Sequence, residues 1–389
     1  MKKRIKKWGA AAICCSLIIL MTGCWDVEEL DAISIVTGVG LDASEQPGQL
    51  DLSFQVAMVN NAATQEDSSS NGSFITLEAT DRFVLGGIDS LRYSNSRKLF
   101  MHHNQVIIFG NDLARKGVKP YLDMFMRNTE TRMEVWILVA KNDAKSILTT
   151  ETKQEKLSAM ALAQMIRNER QISPYTSSNM LHFTSRLVDR STAPVALVVE
   201  PKEIDGLTSL TFSGMAVFKD DVLVSIMDAS LMQGFILGMG TVNGGNLELA
   251  SDLGNANLKV NKSLCERKIE MDEEGNVTVK MNIDTELAIS ELHGFRSMDI
   301  IKVTEFLQKE AKKDLETKVR SSFAESQRLK ADIYGIGAHI HKHHPKEWEK
   351  MEYAWSELYP TVTLEVTMNV NISSRGKISE SLIMKEGHK

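Results

Sequence analysis

No catalytic signature runs through this chain. It holds no Gly-x-Ser-x-Gly elbow, no His-Glu-x-x-His and no Gly-Lys-Ser/Thr ending to a glycine-rich loop. A serine hydrolase of that type, a zincin and a P-loop nucleotide enzyme therefore lack sequence grounds. Positive charge is also short, with 45 Lys and Arg against 51 Asp and Glu. A nucleic-acid binder needs a basic surface for phosphates, so that class is excluded. No apolar run reaches the roughly 20 residues of a membrane-spanning helix. Cysteine is sparse and lopsided: Cys14, Cys15 and Cys24 crowd the first residues, and only Cys265 lies in the body.

What is present begins with Lys2, Lys3, Arg4, Lys6 and Lys7, followed by an almost wholly apolar Gly9 to Leu20. Cations before a short apolar core form an export signal. The segment closes Leu20-Met21-Thr22-Gly23-Cys24, which resembles the lipobox of bacterial lipoproteins, cut just before the cysteine. The expectation is a signal peptide over 1–23 and a lipid on Cys24. Each buried methylene contributes about 0.8 kcal/mol and a single acyl chain holds only marginally, so the two chains of a diacylglycerol suffice for stable anchoring. Without residues 1–23 the chain carries 40 basic and 51 acidic residues, a net −11. An anionic leaflet repels such a body, and the lipid has to hold it. With Cys24 acylated, Cys265 is the one thiol left and no internal disulfide can form, so a hydrophobic core must hold the fold.

The body reads as alternating elements. AISIVTGVGLD from Ala32 is a buried strand, and LDLSFQVAM from Leu50 alternates at period two. Asn60 to Ser73 is a polar loop. FITLEA, Gln105 to Phe109 and Glu134 to Ala140 are further strands. Helices are expected from Thr80 or Asp81 to Tyr93, over 113–127, 154–170 and 179–189, with a break at Ser173-Pro174. The polar KEIDG at 202–206 marks a composition shift, dividing a 24–206 region from a 207–376 region, with a polar tail over 377–389. The second region opens with two strands about Asp220, then a helix around Asp228 to Leu237. The glycine-rich GFILGMGTVNGG is expected to turn the chain. Asp272-Glu-Glu-Gly-Asn276 joins two long strands as a hairpin. Ile300, Val303, Leu307, Ala311, Leu315, Val319 and Phe323 recur every three or four positions in one long amphipathic helix. TVTLEVTMNVNI closes on a strand. The fold class is mixed α/β, or α+β, with mixed and antiparallel sheets flanked by helices.

Among side chains that could carry chemistry, His339, His341, His343 and His344 are the densest group. His339 and His343 share a helix face, but no carboxylate or cysteine completes a ligand set nearby and Pro345 disfavours helix before it. They read as polar packing, as do His102 and His103. Trp348, Met351 and Trp355 read as core cover. No catalytic, cofactor or metal residue is assigned.

Several stretches together resemble the Ger(x)C family, the C-subunit lipoproteins of bacterial endospore germinant receptors: GCWDVEEL, VTGVGLD, LFMHHNQVIIFG, LTSLTFSGMAVFKDDVLV and DIYGIGAHIHKHHPKEWEKMEYAW, in that order. The resemblance implies three mixed α/β domains and a non-enzymatic subunit required for germination. It also implies a place on the outer side of the spore inner membrane, assembled with polytopic A and B subunits, the B subunit transporter-like. Only Cys24 carries over as a functional residue. The alternative is a solute-binding lipoprotein serving a transporter, which calls for two doubly wound lobes and a hinge. An exported hydrolase comes third.

Overall fold

The computed structural model describes residues 32–58, 74–152, 155–204, 206–295 and 298–374. The signal peptide, Cys24, the whole 60–73 loop and the 377–389 tail expected above lie outside the described residues.

β1 (Ile33–Ala43) pairs antiparallel with β2 (Leu50–Ala57), which pairs with β3 (Phe74–Asp81). After α1 (Val84–Ser94), β4 (Lys98–Phe100) and β5 (Val106–Phe109) run parallel to β1. The helix expected over 113–127 is two, α2 (Asn111–Ala114) and α3 (Lys119–Arg127). Gly117 turns left-handed at φ 112 between them, and Pro120 can only open the second. β6 (Trp136–Ala140), α4 (Ala144–Thr149), α5 (Ser158–Ile172), β7 (Ser178–Asn179), α6 (Met180–Val188) and β8 (Val195–Ile204) follow. β5, β6 and β8 are mutually parallel neighbours.

Such strands are covered on both faces, which is why VIIF and WILVA are continuous apolar runs. Ile107, Phe109, Val139 and Val198 enter one core with Phe54, Phe125 and Phe183. Val106, Ile108, Leu138 and Leu197 enter another with Leu148, Leu162 and Ile166. The period of two thus sorts one strand between two cores.

The composition shift at 202–206 does not end this sheet. Gly206, at φ 72, turns β8 into β9 (Leu207–Lys219), which pairs antiparallel with it from Ile204–Leu207 back to Val195–Val217. β10 (Val222–Met227) completes the order β10-β9-β8-β6-β5-β1-β2-β3. A polar hairpin turn and a polar linker share a composition, so only the pairing tells them apart.

The chain leaves this sheet through α7 (Ala229–Met239), whose N-cap Asp228 accepts the Leu231 N–H at 2.9 Å. β11 (Thr241–Val242), β12 (Asn246–Ser251), β13 (Gly254–Met271) and β14 (Val277–Gly294) come next. In the hairpin turn Asp272 Oδ1 accepts the N–H groups of Glu274 and Asn276 at 3.0 and 2.8 Å. Then come α8 (Ile300–Arg328), α9 (Ile336–His343), α10 (Pro345–Met351), α11 (Trp355–Leu358) and β15 (Thr363–Ser374), parallel to β14.

The second sheet is covered on one face. Leu258, Val260, Val279, Met281 and Ile283 face the stripe Val303, Leu307, Leu315, Val319 and Phe323 of α8. That helix is 29 residues, about 43 Å.

The glycine-rich stretch departs from expectation in its first half. Gly234 to Met239 are the buried end of α7, and a Cβ on Gly234 would lie 2.0 Å from the Lys318 carbonyl oxygen of α8. Gly240, Gly244 and Gly245 are the turn residues expected, all at positive φ. Among the described residues no helix is long and apolar enough to cross a membrane.

Candidate functional site at the junction of the two sheets

The segment after α8 ties one sheet to the other. The Asp332 main-chain oxygen accepts the Ala193 N–H at 2.8 Å, just ahead of β8. Its carboxylate Oδ2 accepts the Gly337 N–H at 2.7 Å and the Trp355 indole N–H at 3.2 Å. Burial is complete enough to push the Asp332 pKa up to about 6, against the lowering pull of its hydrogen bonds. A Cβ on Gly337 would meet Trp355 Nε1 at 2.6 Å and the Ser191 carbonyl at 2.7 Å, so only glycine lets α9 close on the first sheet.

Two arginines brace the backbone at this joint. Arg186 of α6 donates to the Ala193 carbonyl at 3.3 Å; burial lowers its pKa while Asp332 works to raise it. Arg267 of β13 donates to the Tyr334 carbonyl at 2.8 Å. Tyr334 is wedged between Phe235 and Phe323, with ring centroids 5.3 and 5.2 Å away, and its hydroxyl donates to Ser322 at 3.1 Å. Tyr359 Oη and Ser326 Oγ share a hydrogen bond of 2.6 Å. Trp348 and Trp355 are buried edge to face at 5.6 Å, the core role expected of them. Most of these polar groups bind one another or nearby backbone, Asp332 Oδ1 is buried without a hydrogen-bond partner, and a cleft of about 100 Å³ lined by Arg186, Lys219, Lys330 and Asp332 lies over them.

The histidines divide. His339 and His343 stand ring to ring at 4.3 Å, as helical spacing predicts; partial burial first, then His343, holds His339 below the ordinary imidazole range. His341 stacks on Trp348 at 5.7 Å, and His344 interrupts the chain between α9 and α10. Among the described residues no group of three His, Cys, Asp or Glu side chains could hold a metal ion. His102 stacks on Phe100 at 4.6 Å. Cys265 is buried with Sγ 3.5 Å from the Gly238 carbonyl, and burial pushes its thiol up to about 11.

Three other stretches, VTGVGLD, LFMHHNQVIIFG and LTSLTFSGMAVFKDDVLV, also supply joints. Asp42 of VTGVGLD accepts the Ala144 and Lys145 N–H groups at 2.8 and 3.0 Å at the start of α4, and its pKa is pushed up to about 6 by burial. Gly110 of HHNQVIIFG packs beside it, and a Cβ there would sit 2.0 Å from Asp42 Oδ1 and displace the carboxylate from the α4 N–H groups. Asp221 of FKDDVLV receives the Val118 and Lys119 N–H groups at the start of α3 at 3.0 and 3.1 Å. Sequence reasoning passed over Gln55, which is fully buried in β2. Its amide donates to the Leu148 carbonyl and Ser158 Oγ, and accepts the Ala159 N–H at 3.1 Å.

Residues 26–201 match the family described as "Spore germination protein N-terminal domain", and 213–376 match "Spore germination B3/ GerAC like, C-terminal". Among proteins of Bacillus subtilis (strain 168), the chain is similar to YfkR, 25% identical over 98% of this chain and 100% of the relative. Spore germination protein A3 is 24% identical over 92% and 94%. Spore germination protein B3 is 21% identical over 94% and 97%. A crystal structure of the GerBC protein shares the fold with a TM-score of 0.54 at 17% identity, over 90% of this chain and all of the other. With both halves matched in order, and a solved relative of the same fold, the chain belongs to the Ger(x)C family of spore germination proteins.

Proposed function

We propose that this protein is exported, cut before Cys24 and held by a diacylglycerol on that cysteine at the outer side of the spore inner membrane. There it serves as the non-enzymatic lipoprotein subunit of a nutrient germinant receptor, alongside polytopic A and B subunits. The observation that carries this reading is the match of both halves to spore germination family descriptions, with relatives of that name aligned over nearly their whole length.

The architecture supports a scaffold. Two sheets are locked through Asp332, Ala193, Gly337 and Trp355, and a body fixed in this way presents constant surfaces to partners. The solute-binding alternative calls for two doubly wound lobes, whereas the second sheet here is a long antiparallel hairpin with one parallel strand on one side and two short antiparallel strands on the other.

A Cys24→Ala protein tests the reading. It should leave the membrane fraction, and spores carrying it should respond poorly to nutrient. Normal nutrient germination by the unlipidated protein would remove tethering from the account.

A further inference from the structure

Large apolar side chains are exposed together where the described chain begins. The Ala32 carbonyl accepts the Lys98 N–H at 3.1 Å, and Lys98 pairs with Glu130 at 3.5 Å. Met126, in the last turn of α3 and four residues before Glu130, is 44% exposed and lines a groove of about 560 Å³ with Leu181, Val188 and His341. Val188 is 74% exposed, and Tyr353, 81% exposed, holds the Arg190 guanidinium 4.6 Å over its ring. Tyr93, five residues ahead of Lys98, is 93% exposed.

The topology explains the gathering. β1, β5, β6 and β8 are parallel neighbours in that order, so their N-terminal ends share one pole. From β1 to β8 is three strand spacings, about 14 Å. Val188 and Arg190 lead into β8, and Tyr93 leads into β4 beside β1. Only residues 25–31 separate Cys24 from Ala32, and eight residue steps span at most about 28 Å.

We propose that this pole rests on the lipid headgroup layer, with Val188, Met126 and Leu181 turned to the acyl boundary and the Tyr353–Arg190 pair at headgroup level. This rests on the lipid-anchor reading. The bilayer is favoured as occupant because the tether holds this pole within its reach. Tyrosine and arginine with apolar bodies and polar tips suit that boundary. The acidic body gains nothing from an anionic surface, so contact here is apolar and aromatic.

The test uses the mature lipidated protein in vesicles, with an environment-sensitive fluorophore on Val188→Cys, and on Leu207→Cys as the control. Leu207 pairs with Ile204 at the far end of β8, nine residue steps or about 30 Å along the strand from Val195. Cys265 is buried and does not compete for label. The expected result is blue-shifted emission and quenching by nitroxide-bearing lipid at 188, with neither at 207. Unshifted emission at both positions, in protein that floats with the vesicles, overturns the proposal and leaves the anchor standing. A shift at 188 only when polytopic subunits are added also overturns it, assigning the groove to a protein partner. If the protein does not float, the anchor reading fails. Residues 25–389 held by an N-terminal His tag on nickel-chelating lipid then decide the surface contact by the same two probes.

Discussion

Trp355 gives its indole N–H to the Asp332 carboxylate across 3.2 Å, with both side chains buried between the two sheets. The same oxygen accepts the Gly337 N–H, so α9 and α11 are fixed on one atom. Trp355→Phe keeps most of the ring and removes the donor. It should destabilise the protein by about 1–3 kcal/mol, the range for leaving a buried polar group short of a partner. Denaturant unfolding measures this, and an unchanged midpoint would mean that the bond is not part of the lock.

The pH dependence has a definite sign. Asp332 and Asp42 both have carboxyls raised from 3.8 to about 6 by burial. A raised acid holds its proton longer in the folded state, so its stabilising contribution is full below about 4 and lost as pH rises through about 6. Glu270, held down to about 2 by Lys268 and Lys280, acts oppositely, losing its contribution as pH falls below 4.5. Between pH 4.5 and 6.5 the melting temperature should therefore fall with rising pH as far as these groups are concerned. Asp332→Asn should flatten that slope. A slope identical to that of the parent would rule Asp332 out as its source.

Where α7 meets α8 there is no room for a methyl group. Gly234→Ala would drive a carbon to 2.0 Å from the Lys318 carbonyl oxygen, so the helices must part. A loss of about 1–3 kcal/mol is expected, as for other overpacked cores. Gly86→Ala is the milder comparison, because its close neighbour is the movable Asp81 side chain. Equal melting temperatures for the two variants would contradict the close packing.

Much of this architecture is legible in the sequence where the signal is local. The Asp272 hairpin declares itself by turn chemistry between period-two strands, and α8 by apolar residues every three or four positions over eight turns. Signals that depend on distant partners are hidden. The glycines of α7 read as turn residues because nothing local shows Lys318 lying against them. The strand pairing across Gly206 is hidden, because pairing of Val195 with Val217 is not written in KEIDG. Gln55 looks like an exposed strand residue until Ser158, 103 positions away, accepts its amide. The site behaves likewise: Asp332 and Trp355 stand out within a family motif, but what they join, the Ala193 backbone of the other sheet, is visible only in three dimensions.

Cys265 should be chemically silent. With its thiol buried and raised to about 11, almost no thiolate forms at pH 8 in the folded protein. A maleimide or disulfide reagent should label it slowly in buffer and rapidly in denaturant, once Cys24 is acylated or replaced. Fast labelling of the folded protein would mean that the edge between α7 and β13 opens freely.

The central claim, a lipid-anchored receptor subunit, is tested most directly by mild crosslinking in spores, purification of the lipidated protein from membranes and mass identification of what travels with it. The account predicts two polytopic membrane proteins, one of them transporter-like, and an N-terminal Cys24 peptide carrying the diacylglyceryl mass. Recovery of the protein alone, or with a permease and an ATPase, would contradict it.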